Sequence, residues 1–205
     1  LRNLFYSNDE NLIIRISLIE IYKDNVYDLL SVSKTKCVIQ NYQVKDLTKL
    51  VIKDMTSMAL IQNGILLRKV GKTSMNEESS RSHLVLTIYL ENIKNLQRSK
   101  FNIIDLAGPE KAGADYKNSS SSKTALEEGS FINNSLMDLR LLIQRLAAKV
   151  NASYTNCLTK ILKDSLGGNS YSLLIACINC KNVCFSQTLE TLKFANMVKS
   201  IKNNL

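Results

Sequence analysis

The sequence predicts one layered α/β domain, on three observations. Short apolar runs alternate with the two-residue period of strands. Longer stretches repeat apolar residues at helical spacing. One strand-like run, FNIIDLAG, ends in Asp105 and reaches Gly108 after two more residues. The 205 residues suffice for one domain with a full core. A composition of 45% hydrophobic and 22% charged residues is that of an ordinary soluble globular chain.

Ile14, Ile16 and Leu18 alternate with Arg15 and Ser17, which predicts a half-buried strand. Leu84, Leu86, Ile88 and Leu90 alternate with Val85, Thr87, Tyr89 and Glu91 and predict a second. Phe101 to Leu106 is a third, short apolar strand. Ser172 to Ile178 is apolar on both faces, so a central strand is expected there. Ile132, Leu136, Leu139, Ile143 and Leu146 share one helical face, with Asn134, Asp138 and Arg145 opposite. Phe194, Met197, Val198 and Ile201 form a similar face near the end. A shorter helix is expected from Leu158 to Leu166, stopped by Gly167 and Gly168. Lys117 to Thr124, containing SSSSK, reads as a flexible loop.

The net charge of +9 favours an acidic partner by long-range attraction. Nucleic acid, an anionic membrane and an acidic protein polymer all meet that description, and so does a merely basic composition. No apolar run approaches the roughly 20 residues of a membrane span. The first residues, LRNLFYSNDE, lack the features of a signal peptide. The start without Met, inside what reads as a helix end, is the expected mark of a fragment. Five cysteines without framework spacing point to a reducing compartment. Cys177, Cys180 and Cys184 follow C-x2-C-x3-C but have no fourth ligand at zinc spacing. Cys177 closes SLLIAC and is expected to be a buried thiol.

Two stretches carry chemistry. In FNIIDLAGPE, an aspartate at a strand's carboxyl end can hold Mg²⁺ through water, and a glycine amide can approach a γ-phosphate closely. Good turn chemistry alone produces the same spacing. In MNEESSRSH, residues 75–83, hydroxyls can ligate Mg²⁺ or phosphate and an arginine can pair with a neighbouring carboxylate. A serine-rich helix cap feeding a strand is the plainer reading.

The order of motifs resembles the kinesin motor domain nearly end to end. SLIEIYKDNVYDLL is similar to a family segment of the form S-x-x-E-I-Y-x-x-x-x-x-D-L-L. MNEESSRSH resembles the switch I signature N-x-x-S-S-R-S-H, and DLAGPE the switch II signature D-L-A-G-S-E. EEGSFINNSL looks like the start of the relay helix. LTKILKDSLGGNSYSLLIACI and LETLKFANMVKSIKN resemble the segments that follow. The resemblance implies a three-layer, P-loop NTPase-like kinesin motor fold. Its mixed central sheet would be flanked by helices and incomplete on the N-terminal side, with residues 1–205 a partial motor domain.

It also implies ATP and Mg²⁺ as cofactors and microtubules (tubulin) as partner. Nucleic acid and membrane insertion are not implied, and a second motor chain outside this segment is left open. The setting would be the cytoplasm and its cytoskeleton, the spindle included. By the resemblance, Ser80 and Asp105 serve the metal, Ser79 and Gly108 meet the γ-phosphate, and Asn76 shapes the loop before them. Arg81 pairs with Glu110 in a latch that closes over the γ-phosphate. His83 supports the loop through hydrogen bonds. Lys117, Lys123, Lys160 and Lys163 face tubulin.

Some family features differ here. No G-x-x-x-x-G-K-[ST] occurs among the 7 glycines, and in the family that loop lies upstream of the matching region. Pro109 stands where Ser is usual, and Arg140 where the relay helix has Gly. YTNCLT is one residue shorter than the usual Y-R-D-S-K-L-T. The expected function is therefore a motor coupling ATP hydrolysis to microtubule binding. The alternative is a hydrolysis-deficient kinesin-like binding module. A small GTPase would need N-K-x-D, which is absent.

Overall fold

The computed structural model describes residues 10–53, 57–68, 82–108 and 122–204, without the side chains of 58, 122–129 and 132. It divides into two compact units, residues 1–132 and 133–205.

The first unit is built on a six-stranded sheet. β1 (Leu12–Tyr22) pairs with β2 (Asn25–Asp28), β6 (Leu50–Val51) and β7 (His83–Asn92). β3 (Lys36–Cys37) extends it beyond β2, and β8 (Arg98–Asp105) beyond β7. These pairings are all antiparallel. β4 (Ile39–Gln40) and β5 (Gln43–Val44) form a separate hairpin.

SLIEIYKDNVYDLL folds as a hairpin because Lys23 and Asp24 both take positive φ, 48° and 54°. That backbone matches the right-handed twist of the strands they join. Asp28 ends the hairpin. It is buried, and its carboxylate accepts hydrogen bonds from the amides of Leu30 and Thr48 at 2.9 and 2.7 Å.

β1 is not half-buried as its early alternation predicts. Ser17 through Ile21 are all buried, which requires cover on both faces of the sheet. Helix α1 (Met58–Arg68) lies close to it: a Cβ on Gly64 would meet Leu18 Cδ2 at 2.6 Å and the Leu29 carbonyl at 3.2 Å. Ile14, Ile16, Ile52, Ile61 and Ile88 form the core, with Leu86 and Leu90 against it. Full burial of one such side chain stabilises by about 1.5–3 kcal/mol.

Helix α2 (Ser122–Ala147) begins inside the stretch read as a loop, so residues 122–124 are helical, while 117–121 lie outside the described residues. From residue 133 onward it belongs to the second unit. There Leu139, Leu142 and Ile143 are buried. Of the expected face, Leu139 and Ile143 are buried and Leu136 and Leu146 half-buried, with Leu142 added to it; the side chain of Ile132 lies outside the described residues.

Helix α3 (Cys157–Ile161) is shorter than the expected 158–166. After Ile161 the chain tightens into turns, with Ser165 and Leu166 amides both bonded to the Leu162 carbonyl. Gly167 then takes φ +81°, a conformation that costs glycine nothing. Helix α4 (Phe185–Lys199) follows a 3-10 turn at Asn182–Cys184. Of its expected face, Phe194, Met197 and Val198 lie on the helix and are half-buried, while Ile201, also half-buried, lies beyond the helix end.

The expected central strand over 172–178 is not formed. The segment runs without a strand partner among the described residues, and Leu173 and Ile175 are 88% and 79% exposed. Apolar sequence gives a strand only where a neighbour supplies the hydrogen-bond ladder. Cys177, expected to be buried, is exposed for the same reason. Among the described residues no cluster of acidic, His and Cys side chains could hold a metal, and no helix is long and apolar enough to cross a membrane.

Candidate functional site

The pairing of β7 with β8 sets Leu84 opposite Asp105. The end of the switch-I-like motif and the start of the switch-II-like motif therefore meet at one end of the sheet. Buried side chains join them.

Ser82 is fully buried, and its hydroxyl donates to Glu20 Oε1 at 2.6 Å. Arg68, the last residue of α1, donates through Nε to Ser82 Oγ at 3.0 Å and through Nη2 to the Ser82 carbonyl at 2.5 Å. Its Nη1 donates to Asp105 Oδ2 at 3.1 Å. Arg68 and Ser82 flank residues 69–81, so the two ends of the segment carrying N-x-x-S-S-R-S-H are tied together.

Glu20 and Arg68 are each 4% exposed. Charges that deep need compensation. Arg68 Nε lies 4.0 Å from Glu20 Oε1, and Lys34 Nζ 2.8 Å from Glu20 Oε2 as an ion pair without a hydrogen bond. Two carboxylates, Glu20 and Asp105, thus meet two cations, Arg68 and Lys34.

His83 is buried at the start of β7 and accepts a hydrogen bond from the Ala107 amide on Nδ1 at 2.9 Å. Burial, and then the Arg68 charge, lower its pKa to about 4, with Asp105 opposing. The ring is neutral at ordinary pH, as suits a supporting role.

Of the expected nucleotide-site residues, Asp105 and Gly108 are described. Asp105 presents a side chain that is 68% exposed, beside its contact with Arg68. Among the described residues nothing lies within 4 Å of where a Gly108 Cβ would be. The exposed Asp105 carboxylate is chemically suited to a hydrated cation. Asn76, Ser79, Ser80, Arg81, Glu110 and Lys117 lie outside the described residues, as does the side chain of Lys123.

Lys160 on α3 and Lys163 just beyond it are both half-buried. The Lys163 ammonium stands 5.8 Å from the Tyr154 ring centroid. The shortened YTNCLT segment is firmly built. Asn156 Oδ1 accepts from the Thr159 amide at 2.8 Å, and Thr159 Oγ1 accepts from the Asn156 amide at 3.2 Å. Asn156 Nδ2 also donates to Asp138 Oδ2 at 3.0 Å. Arg140, where a glycine is usual, donates to Glu190 on α4 at 3.1 Å.

Sequence reasoning gave no role to Arg68, Lys34 or Ser82, nor to Glu20 within the quoted SLIEIY. Glu20 carried a signal: it is a carboxylate inside an aliphatic run, and such a group in a buried strand requires a cation nearby.

The sequence pattern described as "Kinesin motor domain" matches residues 3–201, and the chain belongs to that family. It is 34% identical over 206 residues to kinesin-like protein klp-19 of Caenorhabditis elegans, covering 95% of this chain and 19% of that protein. It is 33% identical over 213 residues to the human chromosome-associated kinesin KIF4B, covering 96% and 17%. The chain thus spans about a fifth of the length of these relatives.

Among solved structures it is similar to a KIF14 dimer in its two-heads-bound state, with AMP-PNP and in complex with a microtubule. The TM-score is 0.84 at 26% identity, covering 98% of this chain and 62% of that one. It is also similar to a fast kinesin, with a TM-score of 0.79 at 33% identity, covering 99% and 61%. Both likenesses carry the P-loop NTPase-like α/β motor fold.

Proposed function

We propose that the protein is a microtubule motor that couples ATP hydrolysis to microtubule binding and movement, with residues 1–205 forming the switch-bearing part of its motor domain. One observation supports this most strongly: Arg68 and Ser82, on either side of the segment matching switch I, are bonded to each other, and Arg68 is bonded to Asp105 at the start of the segment matching switch II.

In this reading Ser80 and Asp105 hold Mg²⁺, and Asn76, Ser79 and Gly108 meet the phosphates. Bound Mg²⁺–ATP supplies the phosphoryl group and the charge that the loops sense. Arg81 and Glu110 form the latch between the loops. Lys117, Lys123, Lys160 and Lys163 offer positive charge to the acidic surface of tubulin, and the protein works on the cytoskeleton in the cytoplasm. The 205 residues contain no phosphate-binding G-x-x-x-x-G-K-[ST], so hydrolysis is expected from the complete protein and not from this segment alone.

The test is cosedimentation with microtubules and ATP turnover by the complete protein. Binding with microtubule-stimulated turnover supports the motor. Binding without turnover favours the alternative, a hydrolysis-deficient kinesin-like module. Loss of both sinks the two readings together.

A further inference from the structure

We propose that His83 is a positioning residue for the second switch-like loop, acting through its unprotonated Nδ1. The proposal rests on the motor reading only for its effect on turnover. The bond itself stands on geometry.

β8 ends at Asp105, and its ladder to β7 ends with the Leu84–Asp105 pair. The Ala107 amide therefore lies beyond the reach of the sheet, yet Ala107 is buried. A buried amide left without an acceptor is destabilising. His83 Nδ1 meets it at 2.9 Å.

A neutral imidazole that accepts at Nδ1 carries its proton at Nε2, so the bond selects one tautomer. It also fixes the backbone one residue before Gly108. His83 directly follows Ser82, which Arg68 and Glu20 hold at the other side. The plainer possibility is that His83 merely fills buried space. The two differ in which nitrogen matters.

His83 is the chain's single histidine, so its ring signals need no assignment. With ¹⁵N-histidine in the 205-residue chain, Nδ1 should resonate as the unprotonated nitrogen and show coupling across the bond to the Ala107 amide. A proton on Nδ1 overturns the proposal.

Asparagine places its amide oxygen near the position of Nδ1, and glutamine mimics Nε2. His83→Asn should keep Ala107 amide exchange near wild type, whereas His83→Gln should speed it about 5- to 30-fold, the effect of losing about 1–2 kcal/mol. In the complete protein His83→Gln should lower kcat with little change in KM, and His83→Asn should restore most of it. Space-filling predicts the reverse order, since glutamine is closer to histidine in volume, and that result overturns the proposal. A wild-type protein without turnover, but with the Nδ1 bond and the Asn–Gln difference in exchange, refutes the motor reading and leaves the positioning of Ala107 standing.

Discussion

Glu20 and Ser82 lie 62 residues apart in the chain and share a buried 2.6 Å hydrogen bond. Arg68 completes the group by donating to both atoms that Ser82 can offer. The three hold the base of the switch-I-like segment against the sheet. Glu20→Ala should cost about 3–5 kcal/mol in urea unfolding of the chain, the range for breaking a buried charged pair. Glu20→Ala combined with Arg68→Ala should cost less than the sum of the singles, because the second change removes a charge already left unpaired. Strict additivity shows that the residues do not act as one group.

Stability should fall on acidification through His83. Its folded pKa, about 4, lies below the ordinary 6.5. The unfolded chain therefore takes up this proton first. The contribution is fully present above about pH 6.5, shrinks as pH falls, and is gone below about pH 4, a span on the order of 3 kcal/mol. His83→Asn should flatten the stability–pH curve in that window relative to wild type. Parallel curves for the two proteins contradict the buried neutral ring.

The Asn156 cap should matter more than a surface residue. Asn156→Ala removes the bond to the Thr159 amide and the bond to Asp138. A loss of about 1–2 kcal/mol is expected from thermal or urea unfolding. Asn156→Ser should recover part of it, since serine keeps the cap but cannot reach Asp138. No loss on Asn156→Ala shows that the segment is held by other contacts.

Lys160 and Lys163 should contribute to microtubule affinity in a salt-dependent way. Exposed charge attraction is screened over about 8 Å at physiological salt. Lys160→Gln with Lys163→Gln should weaken cosedimentation at low salt and reduce the fall in affinity as salt rises. Because both side chains are half-buried, neutralisation is a gentler probe than charge reversal, and the melting temperature of the variant serves as control. Unchanged binding removes this surface from the contact.

The family was legible in the sequence because its motifs are local: serines, an arginine and an aspartate at fixed spacing beside predicted strands. The strands at 12–22, 83–92 and 98–105 were legible for the same reason, each carrying its own pattern. The run at 172–178 was misread, since apolar character marks a strand only when another strand borders it. The Glu20–Ser82–Arg68 group was missed because it joins three segments far apart in sequence. Only the pairing of β1 with β7 and the position of the α1 end bring them together. The approach of Lys163 to the Tyr154 ring is likewise beyond the reach of any local pattern.

The central claim is that this chain carries the switches of an ATP-driven microtubule motor, and Glu110 tests it most directly. ATP turnover by the complete protein should be measured with and without microtubules, for wild type and Glu110→Ala. The account predicts turnover that microtubules stimulate, and a fall of orders of magnitude in the variant with ATP binding retained. Wild-type turnover indifferent to microtubules, or a Glu110→Ala protein as active as wild type, would contradict it.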